Sequence, residues 1–187
     1  MVPMRALILF LAAAGAACTG GRHAKGDRQA IFSGSIGEPM TGKSFGFTGH
    51  GEARNIGLAA GTQWFLMDRW AIGVQAGGRY YDQTGGGVIA LEIEGTARHY
   101  LFELGTVGVM FEVSGGGQVA SRDVPPGGTK YNWVFGFGPT LEIPLGETTS
   151  LLTGYQWRHL SNGKGGDSPL NPTQNDHRLW VGVTLDW

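Results

Sequence analysis

The stretch "YQWRHLSNGKGG", residues 155–166, brings together the residue types of a serine hydrolase. His159 and Ser161 are two positions apart, and Asn162 follows the serine directly. Side chains at positions i and i+2 of a β-strand project from the same face, so the imidazole can take a proton from the hydroxyl. The spacing therefore indicates a nucleophile and its base, provided that this segment is a strand.

The residues before the pair have the alternation that a strand requires. One face of the segment 149–161 leads to His159 through Leu151, Thr153, Tyr155 and Trp157. The opposite face carries Gly154, Gln156 and Arg158. Because the aromatic face is the one that ends in histidine and serine, we expect both polar side chains to share the surroundings of the aromatic residues.

The same period of two recurs along the chain and predicts an all-β fold with many turns. The predicted strands lie near 28–37, 54–66, 70–82, 87–102, 106–120, 130–145, 149–161 and 177–187. Short connections at 67–69, 103–105 and 146–148 alternate with longer ones, of which those at 38–53, 121–129 and 162–176 are the longest. Such alternation is typical of barrels in bacterial outer membranes.

Alternation alone does not say which face points outward. Mid-strand Glu and Arg on the polar face, aromatic residues near strand ends and a terminal Trp187 favour the inverted arrangement of a membrane barrel. We therefore predict an eight-stranded antiparallel transmembrane β-barrel of the outer-membrane type, with its interior filled by side chains. The alternative is a soluble barrel that binds an apolar ligand.

The N-terminus predicts export. Arg5 precedes an apolar run that is too short to span a bilayer and ends in small residues, as in a secretory signal peptide. We place the signal at about residues 1–20 and the barrel domain at 21–187. The single cysteine, Cys18, is either lipidated or lost with the signal, and it excludes a disulfide within one chain. The net charge of −1 gives no electrostatic basis for binding nucleic acid.

The motif "HLSN", a glycine-rich loop, "NP" and a final amphipathic strand together resemble the lipid A 3-O-deacylases of the PagL type, also called acyloxyacyl hydrolases. The resemblance implies an eight-stranded barrel in the bacterial outer membrane with its site on the outer wall, toward the outer leaflet. It also implies that the substrate is lipid A, or lipopolysaccharide, and that the 3-position acyl ester is hydrolysed. No metal or organic cofactor is implied.

The resemblance assigns roles to individual residues. Ser161 would be the nucleophile, His159 the general base and Asn162 part of the oxyanion hole, with a loop glycine as the second donor: Gly165, or alternatively Gly163 or Gly166. The orienting position, a glutamate in the family, falls on Asn175. Asp176 is the fallback, although its parity points it into the barrel. We expect Trp157 and Lys164 to contact the substrate.

Other functions remain open at this stage. A non-catalytic eight-stranded barrel with a structural or adhesive role explains the strands and the signal equally well, but not the polar pair on an apolar face. A phospholipase or acyltransferase acting on the same leaflet would use the same residues. His99, His159 and His177 lie on different predicted strands, so a metal site is not expected. Whether two barrels pair as a homodimer is not determined by the sequence.

Overall fold

The structure, a computed structural model, describes residues 23–163 and 172–187. The predicted signal peptide, Cys18 and the loop residues Lys164, Gly165 and Gly166 lie outside these ranges. Within them, no helix is long and apolar enough to cross a membrane.

Ten strands make up the described chain. They are β1 (Arg28–Met40), β2 (Gly42–Ser44), β3 (Phe47–Gly49), β4 (Arg54–Met67), β5 (Trp70–Asp82), β6 (Val88–Leu104), β7 (Val107–Val124), β8 (Thr129–Pro144), β9 (Thr149–Ser161) and β10 (Gln174–Asp186). Eight of them close into one barrel in the order β1-β10-β9-β8-β7-β6-β5-β4. Each pairs antiparallel with its neighbours, and β1 completes the ring by pairing with both β4 and β10. The prediction of an all-β, eight-stranded antiparallel barrel is confirmed.

The barrel has two different ends. The connections 68–69, 105–106 and 145–148 are short and lie at the end that also carries Arg28 and Trp187; we call it the turn end. The connections 41–53, 83–87 and 125–128 lie at the opposite end, the loop end, where β9 also ends at Ser161 and β10 begins at Gln174. The candidate residues at the end of β9 and the start of β10 therefore lie at the loop end.

Two predicted loops contain more regular structure than the sequence suggested. The expected loop 121–129 is mostly strand, because β7 continues to Val124 and β8 begins at Thr129, with a register shift between Val119 and Val124. In the expected loop 38–53, β2 and β3 form a small hairpin that belongs to no part of the barrel ring. This β2–β3 hairpin packs against the end of β9, where the candidate residues lie.

The outer wall of the barrel is apolar. Leu58 is 72% exposed, and Ile89 and Leu91 are each 64% exposed, although their strands are well ordered by pairing on both sides. A soluble protein rarely exposes such a continuous apolar surface. The outward direction of the apolar face, with charged residues inside, is the inverted pattern of a membrane barrel.

The middle of the interior is a layer of ion pairs. Glu92 accepts from Arg79 at 3.0 Å and also contacts Arg158, and Arg178 lies 3.6 Å from Glu94. Arg98 pairs with Glu112. All of these side chains are nearly inaccessible to solvent. Mutual pairing of this kind is required because an isolated buried charge is strongly destabilising.

Two apolar layers enclose the charged layer. The layer toward the loop end consists of Ala53, Tyr81, Val88, Ala90, Ala120, Val124, Val134 and Leu160. The layer toward the turn end consists of Phe65, Ala71, Tyr100, Met110, Leu152 and Trp180. The interior of the described barrel is thus packed with side chains, as expected for eight strands, which leaves the outer surface as the place for a candidate site.

Breaking the charged layer should destabilise the barrel. Glu92→Gln leaves Arg79 and Arg158 without their shared counter-charge, so we expect a loss of about 3–5 kcal/mol in the free energy of unfolding. The matched control is Glu38→Gln, which breaks an exposed ion pair with Arg54 and should cost less than about 1 kcal/mol. The loss in the free energy of unfolding of each variant is measured by urea unfolding in lipid vesicles, with the folded fraction read from heat-modifiable mobility on a gel. Equal effects of the two substitutions would contradict the proposed role of the layer.

Candidate active site

The polar pair of the motif lies at the last residues of β9. His159 has the outward parity of Tyr155 and Trp157, whereas Arg158 on the opposite face is buried in the charged layer. Ser161 is the final residue of the strand and is half-buried, as is Asn162. The alternation of the strand therefore brings His159 and Ser161 to the same side of the wall.

Strand β10 supplies the third residue. Asn175 pairs with His159 across the β9–β10 ladder, and its Oδ1 lies 2.7 Å from His159 Nδ1. Asp176 points the other way: its carboxylate accepts from Asn55 at 3.1 Å and lies 3.5 Å from Arg158 inside the barrel. Because it is held in the interior on the far side of the sheet, Asp176 does not serve as the partner of His159.

The β2–β3 hairpin is built around a two-residue turn. Ser44 pairs with Phe47, and the two residues between them have positive φ, 49° at Phe45 and 88° at Gly46. Positive φ at both central positions is the signature of a type I′ turn, which suits the twist of a hairpin. Phenylalanine is an uncommon choice at such a position, since a side chain crowds the backbone there. The packing of the Phe45 ring on Phe137 and Trp157 offsets the conformational cost of its positive φ.

The hairpin covers the outer face of β9. The Phe45 ring lies 5.3 Å from the Trp157 ring and 5.0 Å from Phe137, and the Phe47 ring lies 4.5 Å from the His159 imidazole. As a result Trp157 is 1% exposed and His159 is 7% exposed, although both side chains leave the barrel. The sequence pattern alone placed Trp157 against lipid or substrate; in the structure the hairpin covers it.

Contacts along the start of β10 hold the hairpin in place. Thr173 donates through its hydroxyl to the Thr48 carbonyl, and the His50 N–H donates to the Thr173 carbonyl at 2.7 Å. Gly49 allows the close approach: a Cβ there would lie 2.5 Å from the Met40 carbonyl oxygen and 3.0 Å from Asn175 Nδ2. Any larger residue would push the hairpin away from Asn175.

The hairpin also determines which way the Asn175 amide points. Asn175 Nδ2 donates to the main-chain carbonyl of Phe47 at 3.0 Å. A carbonyl oxygen can only accept, so the NH₂ group must face Phe47 and Oδ1 must face His159. His159 Nδ1 then carries the proton, and Nε2 is the nitrogen with the free lone pair. This is the tautomer that a general base for Ser161 requires.

The hydrogen bond that the structure gives His159 goes to Asn175 and not to Ser161. The Cα atoms of His159 and Ser161 are about 7 Å apart at the rise of an extended strand, so their side chains can meet without any backbone change. Catalytic hydrogen bonds are often long or poorly aligned before substrate binds. The described part of the candidate site is therefore a histidine hydrogen-bonded to Asn175, with the Ser161 hydroxyl nearby.

An apolar groove begins beside Ser161 on the side away from the hairpin. Ser161 pairs with Trp133, Trp133 with Gly117, and Gly117 with Ile93, so these positions form one row across β9, β8, β7 and β6. A Cβ at Gly117 would meet nothing closer than 3.9 Å, which leaves a depression in the row. The groove is lined by Leu91, Ile93, Gly117, Val119, Tyr131, Trp133 and Asn162, among others.

His177 lies on the same outer wall but belongs to a different pair. Its Nδ1 is 2.7 Å from the hydroxyl oxygen of Tyr155, and the pair is exposed. Along β10, His177 is two positions from Asn175, toward the turn end. His177 is thus held by Tyr155 and takes no part in the His159–Asn175 hydrogen bond.

Sequence reasoning missed the hairpin and with it Phe47 and Gly49. Strands of three residues are too short for alternation to be recognised. The signal that was available is "SFGF", residues 44–47, in which a glycine sits between two aromatic residues, as in a tight hairpin turn. The predicted loop donor Gly165 and the predicted substrate contact Lys164 lie outside the described residues.

Comparison with known proteins shows the fold. No protein-family profile matches the chain, and no curated protein matches it either. The structure is similar to that of the outer membrane protein OprG from Pseudomonas aeruginosa, with a TM-score of 0.56, 11% identity, and coverage of 90% of this chain and 99% of that one. For the outer membrane enzyme PagL the TM-score is 0.59 at 15% identity, with coverage of 81% of this chain and 97% of that one. For Neisserial surface protein A the TM-score is 0.54 at 14% identity, with coverage of 86% of this chain and 96% of that one.

These similarities identify the chain as an eight-stranded barrel of the kind found in bacterial outer membranes. Their sequence identities are too low to carry a reaction from one protein to another. Any proposal for the function of this chain therefore rests on the residues of the outer wall of its barrel.

The hairpin cover predicts unequal reactivity of two histidines on one wall. Diethyl pyrocarbonate should modify exposed His177 quickly and buried His159 slowly, as measured by mass spectrometry of peptides from the folded protein. Gly49→Ala should speed the modification of His159 and leave His177 unchanged, because the new Cβ displaces the hairpin. Gly34→Ala is the control, since its Cβ would make an ordinary 3.5 Å contact with Leu58. Equal rates for both histidines in the wild type would contradict this arrangement.

Proposed function

We propose that this protein is an outer-membrane esterase that removes the 3-position ester-linked acyl chain of lipid A, with Ser161 as nucleophile and His159 as general base. The observation that carries the proposal is the hydrogen bond between His159 Nδ1 and Asn175 Oδ1 on the outer wall, two residues from a serine. A hydrogen-bonded histidine and asparagine on a membrane-facing surface need a reason, because polar groups there are costly.

The acylation step uses groups of this chain alone. His159 Nε2 takes the proton of the Ser161 hydroxyl as the oxygen attacks the ester carbonyl carbon. The tetrahedral intermediate collapses when the bond to the sugar oxygen breaks, and His159 returns the proton to that leaving oxygen. A water molecule, deprotonated in turn by His159, then attacks the acyl-serine. The products are a free fatty acid and regenerated Ser161.

The oxyanion of each tetrahedral intermediate needs donors next to Ser161. Asn162 follows the nucleophile directly, at the point where β9 ends and Gly163 turns the chain with a φ of 75°. We propose Asn162 as one donor and a glycine N–H of the following loop, Gly165, as the second, because such donors stabilise the charge that develops on the carbonyl oxygen. Lys164 would attract the anionic head group.

Asn175 acts as the orienting residue. A neutral amide cannot stabilise an imidazolium with a full charge, but it fixes the ring and the tautomer, as asparagine does in Cys-His-Asn hydrolases. The geometry favours Asn175 over Asp176 for this role, since Asp176 is bound to Asn55 and Arg158 inside the barrel.

The groove beside Ser161 supports an acyl substrate. It is apolar, it lies on the lipid-facing wall, and one end of it is lined by Trp133 and Asn162. A chain whose ester carbonyl is at Ser161 can therefore lie along the wall over Gly117 toward Ile93. A lipid of the same leaflet would reach the site sideways, without leaving the membrane. Trp157, which we expected to contact the substrate, is instead covered by the hairpin and stacks on His159, so in this arrangement it supports the base.

The first test is mass spectrometry of lipid A from cells that express this chain. Wild type should remove one hydroxyacyl mass, and Ser161→Ala should remove none while still migrating as a folded, heat-modifiable membrane protein. Unchanged lipid A in both, with folded barrels in the membrane, would overturn the deacylase proposal. That outcome would leave another ester lipid as substrate or a barrel without catalysis.

The orienting role of Asn175 has its own test. Asn175→Leu should lower the rate of hydrolysis by roughly 10²–10⁴-fold, the usual contribution of a working general base, with little change in folding. The control is His177→Gln, two positions along the same face of β10, which should keep near-normal activity. The rate is measured on purified lipid A in detergent micelles. A Leu variant as active as the control would exclude Asn175 from the mechanism.

A further inference from the structure

We propose that the β2–β3 hairpin is a positioning element that selects the tautomer of His159 by locking the Asn175 side-chain amide. The lock is the hydrogen bond from Asn175 Nδ2 to the main-chain carbonyl of Phe47, 3.0 Å long. The Phe47 carbonyl therefore acts on His159 through Asn175, while the Phe47 ring packs on the imidazole 4.5 Å away. The consequence for catalysis rests on the proposed esterase function, whereas the effect on the tautomer does not.

An asparagine in this position needs a lock because its amide has two unlike ends of nearly equal size. In one orientation Oδ1 accepts from His159 Nδ1–H, and Nε2 can take a proton from Ser161. After a flip of 180°, the NH₂ group donates to Nδ1, the ring proton moves to Nε2, and the base is lost. A carboxylate has no such problem, since both of its oxygens accept.

The hairpin removes this ambiguity by presenting an obligate acceptor. In the flipped orientation the Asn175 oxygen would face the Phe47 carbonyl oxygen, with one hydrogen bond lost and two acceptors in contact. Asn175 is fully buried, so water cannot compensate for that loss. The Phe47 ring, 4.5 Å from the imidazole, and Gly49, which lies against the amide, hold the same hairpin over the pair.

The test removes the hairpin from the full-length protein. Because Gly42 pairs with Gly49, residues 42–49 can be deleted and the ends rejoined without spanning a gap. Gly49→Ala is a second variant that displaces the hairpin without shortening the chain. Gly34→Ala is the matched control, since Gly34 lies in the barrel strand β1, outside the hairpin, and its new Cβ would make an ordinary 3.5 Å contact with Leu58. Each change is made in the wild type and in an Asn175→Asp background.

The direct readout is ¹⁵N NMR of histidine-labelled protein in micelles at alkaline pH, where imidazole is neutral, with His159 assigned from a His159→Gln spectrum. We expect the proton on Nδ1 in the wild type and in Gly34→Ala, and a shift toward Nε2 when the hairpin is deleted or displaced. Hydrolysis of lipid A should fall by about 5- to 150-fold in those variants, the range for one lost buried hydrogen bond.

The Asn175→Asp background separates a lock from a merely structural role. A carboxylate accepts from Nδ1 in either orientation, and its second oxygen would face the Phe47 carbonyl while the hairpin is present. Deletion of the hairpin should therefore leave the proton on Nδ1 in this background and should not lower the rate. A His159 tautomer that stays on Nδ1 in a folded, hairpin-deleted protein with Asn175 intact would overturn the inference. An equal loss of activity in both backgrounds would also overturn it. If wild type and Ser161→Ala are equally inactive, the esterase proposal fails, and the NMR result still decides whether the lock exists.

Discussion

Closure of the strand ladder is the constraint on which the rest of this structure depends. Inside a membrane every backbone N–H and C=O must be paired within the protein, and pairing of β1 with both β4 and β10 achieves this without leaving an edge. A closed ladder has an inside and an outside, and side chains alternate between them. The buried ion pairs, the apolar wall and the outward direction of His159 all follow from that single alternation.

Closure also explains why most of the fold could be predicted from the sequence. The eight barrel strands are 13 to 18 residues long, so their period of two is repeated often enough to be recognised, and the face on which His159, Ser161 and Asn175 lie followed from parity. The inward direction of Asp176 followed in the same way. The extension of β7 and β8 into the predicted loop 121–129 was not visible, because Pro125, Pro126, Gly127 and Gly128 mark the turn without marking where the strands end.

What the sequence could not supply was the contact between distant segments. Phe47 meets Asn175 across 128 positions of chain, through a main-chain carbonyl that every residue possesses. No residue type identifies such an acceptor in advance. The cover over Trp157 and His159 likewise depends on where a hairpin of two three-residue strands folds back. That position is decided by the packing of Phe45 and Phe47 on β9 and by the narrow space at Gly49.

The uncharged partner of His159, Asn175, and the β2–β3 hairpin that covers it are best understood together. A charged orienter on the outer wall would be costly to desolvate so close to lipid, whereas a neutral amide is not, provided that both of its ends are paired. The hairpin accepts a hydrogen bond from the Asn175 NH₂ group and covers the hydrogen bond between Asn175 Oδ1 and His159. Ser161, by contrast, remains half-buried beside the apolar groove, where a lipid can approach. In the proposed mechanism, the site therefore divides into a covered part that holds the base and an open part that would meet the substrate.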